Sequence, residues 1–152
     1  MKTLILGLGN PILSDDGVGF RVAEELKGRL NKQVITVMEA SAAGLDLLDL
    51  LAGYNRAIII DAIKTKEGKV GQVYRLEPGE FETTQHAATP HDVNFATALE
   101  LGKRLGLALP QQIIIFAIEV ENVSSFSEEC TPKVRDAIPV CVEMVIEELN
   151  EG

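Results

Sequence analysis

The sequence predicts an α/β fold, a mostly parallel sheet covered by helices, and three observations lead there. Short unbroken apolar runs alternate with longer segments of helical period, the pattern of successive βαβ units. The runs lack polar alternation, as strands do when both faces of their sheet are covered. One weaker run, Gln72 to Leu76 between Gly71 and Pro78, does alternate and fits an antiparallel edge.

In chain order, Leu4 to Leu8 reads as the first buried strand and Val18 to Leu30 as the first helix. Val34 to Met38 is the next strand, Leu45 to Leu51 a short helix, and Ala57 to Ile60 a third apolar strand. After the edge run, the polar stretch Gly79 to His86 fits neither period and is expected to be a loop. Val93 to Leu105 reads as a helix closed by Gly106, a residue suited to the position just past a helix end. Ile113 to Ile118 is the last strand, and Pro132 to Leu149 the last helix. Thr131 is its N-cap candidate, and Pro132 stands at the first helical position, where a missing N–H does no harm.

The 152 residues fit one domain, residues 1–152, large enough to bury roughly 70% of the surface the unfolded chain exposes. With five Phe, two Tyr and no Trp, the core must be aliphatic. A net charge of −9 with no basic run disfavours nucleic acid as a partner, because that binding depends on clustered Lys and Arg. No apolar run approaches the ~20 residues that span a bilayer, so no membrane association is expected. Cys130 and Cys141 lack metal or redox spacing and read as free thiols of a reducing compartment, placing the protein in the cytoplasm.

Chemistry concentrates in three stretches: Gly7-Leu8-Gly9-Asn10-Pro11 through Asp15-Asp16-Gly17, Ile58-Ile59-Ile60-Asp61, and Thr89-Pro90-His91-Asp92. Each sets a potential metal ligand after a strand or before a helix, where ligands of open α/β sheets bind. The first stretch lacks the third glycine of a dinucleotide fingerprint, since position 12 is Ile. Gly7 to Pro11 also looks like the opening of peptidyl-tRNA hydrolases, but the early His of that family is absent. Asp15 and Asp16 diverge by roughly 100° if both sit on a helix, so one can reach a site while the other caps the helix. Spacing alone leaves that choice open, as it does the choice between His86 and His91. Two carboxylates and one imidazole form an open, borderline site for a divalent transition metal and lack the four ligands of structural zinc.

With these motifs in order, the chain resembles the [NiFe]-hydrogenase maturation proteases. The likeness rests on Leu6 to Asn10, Asp16-Gly17-Val18-Gly19, Asp61-Ala62-Ile63, His91 ahead of Ala98-Leu99, and Thr131-Pro132-Lys133-Val134. It implies a three-layer α/β/α fold with a central twisted, mostly parallel five-stranded sheet. It also implies an endopeptidase that removes a C-terminal peptide from the nickel-loaded large-subunit precursor of a hydrogenase. By motif position the catalytic and metal-contacting residues are Asp16, Asp61 and His91. No permanent cofactor is implied, since nickel arrives with the substrate. Where relatives carry an Asp and a glycine-rich stretch, this chain reads Glu39-Ala40-Ser41-Ala42-Ala43-Gly44, so Glu39 and Gly44 are the substrate-contact candidates. The competing expectation is a non-catalytic, nickel-sensing chaperone of the same partner.

Overall fold

The computed structural model describes residues 2–30, 33–41, 45–83 and 95–151. Five strands form one sheet: β1 (Thr3–Leu8), β2 (Ile35–Ala40), β3 (Arg56–Ile63), β4 (Val73–Leu76) and β5 (Gln112–Glu119). Their spatial order is β2-β1-β3-β5-β4, parallel throughout except for β4, which pairs antiparallel with β5 at the edge. The alternating run of the sequence is therefore the antiparallel edge it was expected to be.

Helices cover both faces. On one side α1 (Val18–Lys27) and α5 (Pro132–Glu151) pack on Ile5, Ile58, Ile60, Phe116 and Ile118. On the other, α2 (Leu45–Leu51) and α4 (Phe95–Arg104) cover Leu4, Leu6, Ile59, Ile63 and Ile115. β1 and β3 are buried along their whole lengths, which is why their sequences carry no polar alternation. No helix among the described residues is long and apolar enough to cross a membrane.

Several boundaries differ from the sequence reading, each for a local reason. α1 stops at Lys27 instead of Leu30, because the Gly28 and Arg29 amides turn back to the carbonyls of Glu25 and Leu26. The polar stretch expected as a loop begins with a short helix, α3 (Pro78–Thr83), whose first helical position is Pro78. Glu80 supports it by accepting a hydrogen bond from the Glu77 amide at 2.9 Å, half of a capping box. α4 ends as expected: the Gly106 amide donates to the Lys103 carbonyl and the Leu107 amide to that of Gly102, the paired bonds of a Schellman ending. Cys130 precedes α5 and Cys141 lies within it, and both are free thiols.

Candidate active site

In a sheet of this order, β1 connects toward one edge and β3 continues toward the other, so a crevice opens between their carboxyl ends. The turn that carries Asp16 packs against β3, which carries Asp61. Asp61 is 2% exposed and lies inside β3, whereas the sequence reading set it just past the strand. The reason is asymmetric pairing: β1 accompanies β3 only as far as Ile60, while β5 accompanies it to Ile63. Asp61 therefore sits just past the last residue that pairs with β1 and beside Ala117 of β5.

Strand alternation makes this carboxylate conspicuous. Ala57, Ile59 and Ile63 point into the core beneath α2 and α4, and Asp61 occupies the same row by its period of two. A carboxylate in a row of buried aliphatics works against folding unless it is hydrogen-bonded or used. One of its oxygens, Oδ1, accepts the Ala62 amide at 2.8 Å.

Asp16 is held by the segment after β1. A single 3-10 turn, Ser14–Gly17, precedes α1 and packs against β3. Gly9 lets the backbone close on this turn, for a Cβ there would meet the Asp16 carbonyl oxygen. Gly19 does the same one turn later, where a Cβ would meet the carbonyl oxygens of Leu8 and Ile60. Gly9, part of the incomplete dinucleotide fingerprint, and Gly19 thus bring the start of α1 onto the ends of β1 and β3. Asp16 is 1% exposed, and its Oδ2 accepts the Asn10 amide at 3.1 Å.

The neighbouring Asp15 has a different task from the helix cap that spacing allowed. Neither the 3-10 turn nor α1 carries a side-chain cap. Asp15 is fully buried and accepts four donors: the Glu121 and Asn122 amides at 3.1 and 3.0 Å, and the Thr131 amide and hydroxyl at 2.7 and 2.9 Å. Ser14, with φ of 51°, turns the backbone through the left-handed region just before it. Thr131 is consequently more than the cap candidate of the sequence: its hydroxyl goes to Asp15, while its carbonyl accepts the Arg135 amide of α5.

A fourth buried carboxylate, Glu119, was not among the candidate residues of the sequence reading, although it ends an apolar run just as Asp61 interrupts one. Its Oε2 accepts the Thr65 amide at 2.7 Å, and its Oε1 meets the hydroxyls of Thr65 and Tyr74 at 2.7 and 2.9 Å. Burial, and then the nearby carboxylate, push the Tyr74 hydroxyl above its ordinary pKa. Glu119 thereby pins the β3–β4 connection across the carboxyl end of the sheet.

Glu39 lies in β2 and forms an ion pair with Lys27 at 2.6 Å. His91, His86 and Gly44 lie outside the described residues. Among the described residues no cluster of three potential ligands occurs; Asp16 and Asp61 are the candidate pair. A cavity of about 700 Å³ lined by Arg21, Glu25, Glu128, Cys130 and Ile138 opens between α1 and α5 and includes neither carboxylate. Its thiol is a poor nucleophile, since burial and then Asp15 push Cys130 up to about 11.

The family model for the hydrogenase maturation proteases, HycI, matches residues 20–148. The chain belongs to the hydrogenase maturation protease family. Among the curated members of that family, the hydrogenase 2 maturation protease of Escherichia coli K12 is 28% identical, with 100% of this chain and 93% of the relative aligned. The solved hydrogenase maturating endopeptidase HybD from E. coli superposes with a TM-score of 0.83 at 29% identity, covering 99% of this chain and 93% of that one. The [NiFe] hydrogenase maturation protease HybD from Thermococcus kodakarensis gives 0.73 at 25% identity, with 97% and 98% covered. These maturation proteases share the three-layer fold built on a five-stranded, mostly parallel sheet.

Proposed function

We propose that this chain is the endopeptidase that removes a C-terminal peptide from the nickel-loaded large-subunit precursor of a [NiFe] hydrogenase. The observation that carries the reading is Asp61, a carboxylate in a buried aliphatic row at the sheet crevice, beside the turn that carries Asp16. A buried carboxylate in an aliphatic row at the end of the sheet is placed as ligands of open α/β sheets require.

Nickel belongs to the substrate in this reading, held by the precursor's cysteines and presented to Asp16, Asp61 and His91. Two carboxylates and an imidazole suit a divalent transition metal and complete its coordination without competing for it. Docked there, the metal fixes the scissile peptide and polarises its carbonyl. Water adds to the carbonyl carbon and the C–N bond breaks, giving one carboxylate and one amine. Asp16 or Asp61, whichever lies within hydrogen-bond reach of the water, takes its proton and delivers it to the departing nitrogen. Cysteine is not the nucleophile: burial holds Cys141 up at about 12. The two free thiols fit action in a reducing cytoplasm.

The test is to mix the purified protein with precursor that carries nickel and with precursor that lacks it, and to weigh the products by mass spectrometry. Release of a C-terminal peptide from the nickel-loaded form alone supports the reading. Complex formation with unchanged mass would make the protein a chaperone, and equal cleavage of both forms would remove nickel from recognition.

A further inference from the structure

Two apolar side chains stand in solvent beside the candidate site: Phe126 is 85% exposed and Ile12 49%. Their loops are joined by backbone bonds of 2.9 Å, the Ser127 amide to the Ile12 carbonyl and the Ser14 amide to the Ser127 carbonyl. Leu13 and Ser127 form a parallel bridge, and Ile12 and Phe126 each precede it by one residue. This single bridge holds the backbones that carry Ile12 and Phe126 side by side. The Phe126 loop is braced, because the Asn122 side-chain oxygen accepts the Ser124 and Ser125 amides. An aromatic ring fixed in water on a braced loop invites a partner.

Charge says what kind. Residues 9–20 and 119–132 contain six carboxylates and not one Lys or Arg. Asp15 and Glu119 are occupied internally, whereas Glu121, Glu128 and Glu129 are exposed around Phe126 in sequence. Arg21 and Lys64 donate to the carbonyls of Pro11, Glu128 and Glu121 rather than to those carboxylates, while Arg29 and Arg135 line the cavity beside Glu128 and Glu129.

We propose that Ile12 and Phe126 form a docking patch for a segment of the cleaved partner in which an apolar side chain adjoins a Lys or Arg. The apolar group packs on the ring and the cation meets the acidic rim, the arrangement of aromatic anchor and polar border found in protein interfaces. Ile12 and Asp16 share one loop, so a segment held on the patch lies against the crevice. This inference rests on the proteolytic reading above.

The experiment measures cleavage of nickel-loaded precursor by the wild type, Phe126→Ser and the double variant Glu128→Lys/Glu129→Lys, with thermal midpoints as a folding control. The expected result is a KM raised about tenfold in Phe126→Ser with kcat within about twofold, the signature of lost docking rather than lost chemistry. Charge reversal should also raise KM and flatten its dependence on salt. An unchanged KM in Phe126→Ser overturns the patch. So does a wild-type dimer that Phe126→Ser converts to monomer, which assigns the face to a second copy of this chain. If the wild type does not cleave, the proteolytic reading fails by itself; binding of precursor to immobilised wild type and Phe126→Ser then decides the patch, equal binding overturning it and weakened binding supporting it.

Discussion

Thr131 delivers both its backbone amide and its hydroxyl to the carboxylate of Asp15, across 116 residues of chain. With the Glu121 and Asn122 amides on the same carboxylate, this contact ties the segment after β1 to the segment after β5. Asp15→Ala leaves three backbone amides and a hydroxyl without their acceptor, and should destabilise the fold by about 3 kcal/mol or more. Asp15→Asn, which keeps one acceptor oxygen, should lose less, and Thr131→Val only about 1 kcal/mol. Denaturant titration measures all three; an unshifted midpoint for Asp15→Ala would show that backbone bonds alone hold the two loops.

Asp16→Asn and Asp61→Asn preserve an oxygen for the Asn10 and Ala62 amides, so both should fold with thermal midpoints within a few degrees of wild type. If the proposed proteolytic role is right, processing of the precursor should nevertheless drop at least about a hundredfold, because that role needs the charge beside the reacting centre. Peptide release followed by mass spectrometry gives the number. Activity retained in Asp16→Asn and abolished in an equally stable Asp15→Asn would reverse the division of labour between the two residues.

Gly19→Ala puts helix propensity and packing in opposition. Propensity alone favours Ala in a helix by up to about 1 kcal/mol. The added Cβ, however, meets two strand carbonyls, those of Leu8 and Ile60, and overpacking of this kind costs about 1–3 kcal/mol or more. Packing should win, lowering the denaturation midpoint. Gly28→Ala is the control: φ there is −80° and the nearest atom, the Glu25 carbonyl oxygen, lies 3.7 Å from the new Cβ, so that variant should be neutral or slightly stabilised.

Arg75 of β4 grips Glu148 of α5 with two bonds, Nε to Oε1 at 2.6 Å and a terminal nitrogen to Oε2 at 3.1 Å. The bonded guanidinium holds the Glu148 carboxyl below its ordinary value of 4.5, burial opposing it. A lowered folded-state pKa means that the stabilisation is complete above the unfolded value and is lost as pH falls through the folded one. The stability difference between wild type and Glu148→Gln should therefore be flat from neutral pH down to about 5 and shrink below about 4.5. Thermal melts across that range check it, and a difference that grows in acid would contradict the pairing.

Periodicity was sufficient for the architecture. β1 and β3 are continuous apolar runs because helices cover them on both sides, and β4 alternates because it is an edge. The site was legible only in part. Asp61 announced itself by interrupting an apolar run and Glu119 ends another, and nothing local distinguishes a candidate site carboxylate from one that pins a loop. Asp15 and Asp16 were indistinguishable by spacing, for what separates them is a partner at residue 131 that no local window contains. Ile12 and Phe126 read as ordinary apolar residues, because exposure arises from the pairing of two distant loops.

The strand order has a consequence in time as well as in space. β1 is made first yet lies between β2 and β3, and the carboxylate that organises its following turn waits for donors 106 to 116 residues downstream. Contacts of such separation form late, since a long loop must close before they repay it. A nascent chain still short of Thr131 carries Asp16 and Asp61 without the framework that arranges them. The ribosome thus acts as a delay line, and the crevice is arranged only once Thr131 has emerged.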